Sequence, residues 1–119
     1  MRLNILDEIY AIAKLPPDAA IPEWAHGSFV AITRTPEELS IVCANVPDHV
    51  EASRGWKCLK VPGPLDFALT GILASIASPL AAAGIPIFAI STFDTDYILV
   101  READADRAVA IIASDEAAG

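Results

Sequence analysis

The chain has 119 residues, 54% of them apolar, with 16 acidic against 8 basic side chains and a formal charge of −8. That length suits one compact unit, or two very small ones sharing a core. The acidic balance, without a basic cluster, excludes phosphate backbones and anionic membrane surfaces as natural partners. Met1–Tyr10 carries only Arg2 as a positive side chain, with Asp7 and Glu8 early, so it does not read as a secretory leader. The apolar stretch from Leu69 to Ile90 is broken by Pro79, Gly84 and Pro86, short of the roughly 20 residues a membrane span needs. A cytoplasmic chain with no membrane partner is expected.

In chain order, Asp7–Leu15 reads as a strand stopped by Pro16-Pro17, and residues 16–27 as a loop with Trp24 as its packing anchor. Ser28–Thr33 is apolar and partly β-branched, hence a strand. Thr35-Pro36-Glu37-Glu38 is turn chemistry, and Leu39–Ala44 is the returning strand of a hairpin. Pro47–Gly55 reads as polar and irregular, and Trp56–Val61 as a strand closed by Pro62-Gly63-Pro64. The period then changes. Leu69, Ile72, Leu73, Ile76 and Leu80 fall on one helical face, Asp66 or Thr70 is placed to cap the start, and Gly84 suits the position after the end. Pro79 lies late in this helix, where it removes the bond to the Ser75 carbonyl.

Ile85–Ser91 is expected to be a short buried strand, Thr92–Thr95 a polar loop, and Asp96–Arg101 a further strand. Ala105, Ala108, Val109 and Ile112 have helical spacing, and Asp104 and Asp106 near the start favour the helix dipole. Ser114–Gly119 reads as a frayed tail. The second half is therefore β-α-β-β-α, the order of a ferredoxin-like α+β fold, in which two helices cover one face of an antiparallel sheet. One strand of the usual six elements is missing, and Asp7–Leu15 is the candidate to fill the gap. Residues 31–42 also echo residues 89–100: an Ala-Ile pair leads into a polar, acidic tip, and a run ending in Val follows it. Two diverged copies of one unit would give such an echo, the first copy reduced to its strands.

No catalytic signature is present: neither a nucleophile elbow, a zinc-protease motif, a phosphate-cradling glycine loop nor a spaced Cys–His pair. His26 and His49 read as solvated loop residues. Cys43 and Cys58 lie in β-like runs and read as buried free thiols, without ligand spacing to either histidine. The chain is thus expected to be no enzyme and to hold neither cofactor nor metal. Two segments stand out. Gly63-Pro64-Leu65-Asp66-Phe67-Ala68-Leu69-Thr70-Gly71 leads a strand into a helix N-terminus, where unpaired N–H groups suit a carboxylate, and Gly71 would allow close approach or tight helix packing. Ser91-Thr92-Phe93-Asp94-Thr95-Asp96 is a hairpin tip whose carboxylates could grip a cationic group, or could simply form the turn.

Gly63–Ala74 and Phe88–Val100, with Ile32–Cys43 in support, resemble small bacterial proteins with tandem ACT-like domains, related to the ACT units of aspartate kinase and of an animal cytosolic arginine sensor. The resemblance implies a reduced N-terminal ACT-like set of strands over residues 1–55 and an ACT-like domain over 56–119. It implies a regulatory module that senses an amino acid, with a ligand-free dimerisation or interaction module as the alternative. Ligand contacts carry over to Thr70, Gly71 and Ile72 at the helix start, and to Thr92, Phe93, Asp94 and Asp96 in the hairpin. Gly71 would admit the ligand backbone, and Asp96 would pair with its amino or guanidinium group. With one full unit and one reduced one, the chain lacks half of such a pocket wall, which a homodimer would supply.

Overall fold

A computed structural model describes residues 1–62 and 71–118. The elements are β1 (Asn4–Ile5), β2 (Tyr10–Leu15), β3 (Ala31–Arg34), β4 (Leu39–Cys43), β5 (Ala52–Lys60), α1 (Ile72–Ala82), β6 (Ile87–Ser91) and β7 (Asp96–Arg101). A short 3-10 turn, Glu102–Asp104, then leads into α2 (Ala105–Ala118). They form two compact units, an N-terminal one of Glu8–Trp56 and a C-terminal one of Met1–Asp7 with Lys57–Gly119.

In the N-terminal unit the strands run in the order β3-β4-β2-β5. β4 is antiparallel to both of its neighbours, with Leu39 opposite Leu15 on one side and Arg34 on the other. Alternation puts Ala11 and Ala13 of β2 and Leu39, Ile41 and Cys43 of β4 on one face, buried together with Val46. Every residue of this unit is described, and none is helical. Loops carrying Ala19, Trp24, Ala25, Val30 and Val50 pack on the buried face instead. Polar side chains tie those loops down. Asn45 donates to the carbonyls of Trp24 (3.5 Å) and His26 (3.1 Å). Arg54 donates to those of Val46, Pro47 and Val50 at 2.7–3.1 Å.

Two expectations for this unit are corrected. β3 begins at Ala31 rather than Ser28. Ala52–Gly55, expected to be irregular, is the first half of β5. The reason is a bulge: Tyr10 pairs with Trp56 but Ile12 with Ser53, so β5 holds one residue more than β2 over the same span. Gly55 takes a positive φ of 79° there, which breaks the alternation by which a strand is recognised.

The C-terminal unit orders its strands β1-β5-β7-β6. Asp7–Leu15 does not fill the missing position of this sheet, since its strand belongs to the N-terminal unit. The filler is β1, antiparallel to β5, with Asn4 opposite Lys60 and Ile5 opposite Leu59. The Leu6 N–H extends the ladder to the Cys58 carbonyl at 2.9 Å. A two-residue strand has too little pattern to be read from sequence. Leu59, Val61, Ile98 and Val100 share one sheet face, and against it lie Ile76 and Leu80 of α1 and Ala105, Ala108 and Ile112 of α2, all buried. This is the α+β, ferredoxin-like arrangement with both helices on one face.

α1 ends in a glycine cap. Gly84 has φ 74°, its N–H donates to Ala81 at 3.0 Å, and the Ile85 N–H reaches Leu80 at 2.9 Å. Ile85 is thus buried as part of this cap, and β6 begins at Ile87 as a half-exposed edge strand rather than a buried one. Leu73, expected on the packed face of α1, is exposed. α2 runs through Ala118 where a frayed tail was expected from Ser114. Among the described residues no helix is long and apolar enough to cross a membrane.

Candidate functional site

The polar features of the C-terminal unit gather at the β6–β7 hairpin. Its strands are closed by the pair Ser91 opposite Asp96. The Ser91 hydroxyl donates to Asp96 Oδ1 at 2.5 Å, and the Thr92 N–H and hydroxyl both donate to the Thr95 carbonyl, at 2.8 and 3.0 Å. These bonds tie the tip together and hold the Asp96 side chain at its base. Asp94 and Thr92 are exposed, and Phe93 is 77% exposed, an unusual place for so large an apolar ring.

The Val61 N–H donates to the Asp96 carbonyl at 2.9 Å, so the chain leaves β5 beside the base of this hairpin. The strand order thus places Val61, where β5 gives way to the connection to α1, beside the base of the hairpin.

At the other end of that connection Gly71 occupies the N-cap of α1, with φ 79° and ψ 0°. It precedes the first helical turn instead of lying in it, and its glycine serves a left-handed backbone that other L-residues adopt at a cost. Among the described residues a Cβ there would meet nothing within 4 Å. α1 has no acidic residue in its first turn and no side-chain cap bond at Gly71. Ile72 is half-buried against the helix-side core. Thr70 and the proposed caps Asp66 and Thr70 lie outside the described residues. The C-terminal unit thus holds a carboxylate at one strand end and, separately, a helix N-terminus, features of opposite charge.

The remaining chemistry-bearing side chains lie elsewhere. His26 and His49 are exposed, and His26 Nδ1 is 3.3 Å from Asn45 Nδ2, a loop tie. Cys43 and Cys58 are free and buried; burial raises the Cys43 thiol and pushes that of Cys58 up to about 12, so neither is a nucleophile near neutral pH. Among the described residues no group of three or more His, Cys, Asp or Glu could hold a metal ion. Sequence reasoning missed Ser91, whose hydroxyl orients the Asp96 carboxylate. The signal was its place opposite Asp96 across a four-residue tip.

A family model described as an ACT domain matches residues 51–114, and a second, described as an N-terminal domain, matches residues 8–49. The human protein called cytosolic arginine sensor for mTORC1 subunit 1 is 41% identical over 111 residues, a match taking in 83% of this chain and 34% of that protein. The chain spans about a third of the length of the curated relatives it matches. A solved protein of Agrobacterium tumefaciens is 47% identical, with a TM-score of 0.89 over 96% of this chain and 87% of that one. The aspartate kinase of Clostridium acetobutylicum, 15% identical, has a TM-score of 0.67 over 91% of this chain and 33% of its own, a likeness of fold alone.

Proposed function

Given that the chain belongs to the ACT domain family, we propose that it is a non-catalytic regulatory module that binds a free amino acid. The observation that carries this reading is the Asp96 carboxylate, held by Ser91 at the base of an exposed hairpin and beside the end of β5. An ammonium or guanidinium group pairs with Asp96, and Thr92, Phe93 and Asp94 form the outer contacts. The carboxylate of the ligand lies toward Gly71 and Ile72, where the N–H groups of α1 lack intrahelical acceptors, with Thr70 beside them in sequence. Because relatives include a cytosolic arginine sensor, arginine is the first ligand to try, and the cytoplasm is the compartment expected. In this reading the C-terminal unit, Met1–Asp7 with Lys57–Gly119, carries the site, the N-terminal unit Glu8–Trp56 is a reduced companion, and a homodimer supplies the remaining wall.

The test is a thermal-shift screen of the purified chain against the twenty amino acids. A ligand at about 100 times its dissociation constant stabilises the fold by about 2.7 kcal/mol, a rise of several degrees. A flat panel at millimolar concentrations would sink the reading.

A further inference from the structure

The two units repeat one another in detail at their hairpins. In the β3–β4 hairpin the Thr35 N–H donates to the Glu38 carbonyl at 2.9 Å and the Thr35 hydroxyl lies 3.4 Å from the same oxygen. In the β6–β7 hairpin Thr92 does the same to Thr95. The register extends the match. Arg34 faces Leu39 where Ser91 faces Asp96, and Leu15 pairs with Leu39 where Val61 bonds Asp96. Each of these strand ends runs straight into a proline, Pro16 in one unit and Pro62 in the other. The strand orders correspond as well: β3-β4-β2-β5 in one unit and β6-β7-β5-β1 in the other.

The junction between hairpin base and outgoing connection is therefore present twice, with different side chains. In the C-terminal unit it carries Asp96. In the N-terminal unit Leu39, fully buried, stands in place of that carboxylate, and Arg34 stands in place of Ser91. The Arg34 guanidinium donates to the Pro17 carbonyl and, at 2.8 Å, to that of Ala19, both in the outgoing connection.

We propose that Arg34 is a built-in occupant of the N-terminal junction. Its planar fork bridges hairpin and connection and holds residues 16–30 closed over the buried sheet face. This closure is independent of amino-acid binding at Asp96, and its test needs no ligand. Cys43 reports it, because it is buried under this segment with its Sγ 3.7 Å from the Trp24 carbonyl. Cys58, buried in the other unit, is the internal control.

The experiment is native-state thiol labelling of the ligand-free chain with a small maleimide, each cysteine followed by peptide mass spectrometry. In Arg34→Ala, Cys43 labels roughly tenfold faster or more, as loss of charge-assisted bonds to two carbonyls requires, while the Cys58 rate is unchanged. Arg34→Lys keeps the charge and the stem but offers no fork, and gives a smaller selective acceleration. Unchanged Cys43 labelling in both variants, or equal acceleration of both thiols, would overturn the proposal, the latter because it reports loosening of the whole chain.

Discussion

The Ser91 hydroxyl and the Asp96 carboxylate meet at 2.5 Å across the closing pair of the β6–β7 hairpin. Each carboxylate oxygen can accept more than one bond, so Ser91 orients Asp96 and leaves acceptor capacity for an incoming cation. Replacing Asp96 with Asn keeps an acceptor for Ser91 and removes the charge. Amino-acid affinity is expected to fall by roughly tenfold or more, from the loss of a charge-assisted bond. The melting temperature of the free chain should stay within about 2 degrees, since the group is not buried. Calorimetric titration beside a melting curve checks both; unchanged affinity in a ligand-binding chain would move the site away from Asp96.

Gly71 tests a different cause. With its φ of 79° and no described residue within 4 Å of where a methyl would sit, Gly71→Ala is expected to cost about 1–2 kcal/mol, from the backbone. Urea denaturation measures it. A loss above about 4 kcal/mol would mean that an added methyl does meet something at the start of α1.

Leu80 is fully buried between helix and sheet, and its carbonyl accepts the Ile85 N–H of the glycine cap. Leu80→Ala should lower stability by about 2–5 kcal/mol. The exposed Leu73, on the same helix, should tolerate alanine within about 0.5 kcal/mol. Equal losses at the two positions would contradict the burial of Leu80 and the exposure of Leu73.

The Cys58 thiol gives a pH signature. Burial pushes it from 9.0 up to about 12, so the folded chain holds this proton more tightly than the unfolded chain does. Its contribution to stability is complete below pH 9 and declines as the pH rises from 9 toward 12. Urea midpoints between pH 8 and 11 should fall less steeply for Cys58→Ala than for the unsubstituted chain. Parallel curves would show that the thiol ionises alike in both states.

Local rules carried far in this sequence. The spacing of Ile76 and Leu80, the cap at Gly84, the turn at Thr35–Glu38 and the strands Leu39–Cys43 and Asp96–Arg101 follow from period and turn chemistry, which neighbouring residues suffice to express. The family and its hairpin were legible as well, in the runs around Gly71 and Asp96. What only the tertiary structure decided is non-local. The strand beside β5 in the C-terminal unit comes from Asn4–Ile5, a pairing across more than fifty residues that two residues of pattern cannot announce. Gly55 hides the start of β5, because a bulge removes the alternation on which strand recognition depends. Sequence also leaves Arg34 and Asp96 as two charged residues near turns. Their different roles, one tying down its own loop and the other held at a hairpin base, arise because strand register sets Arg34 opposite Leu39 and Asp96 opposite Ser91.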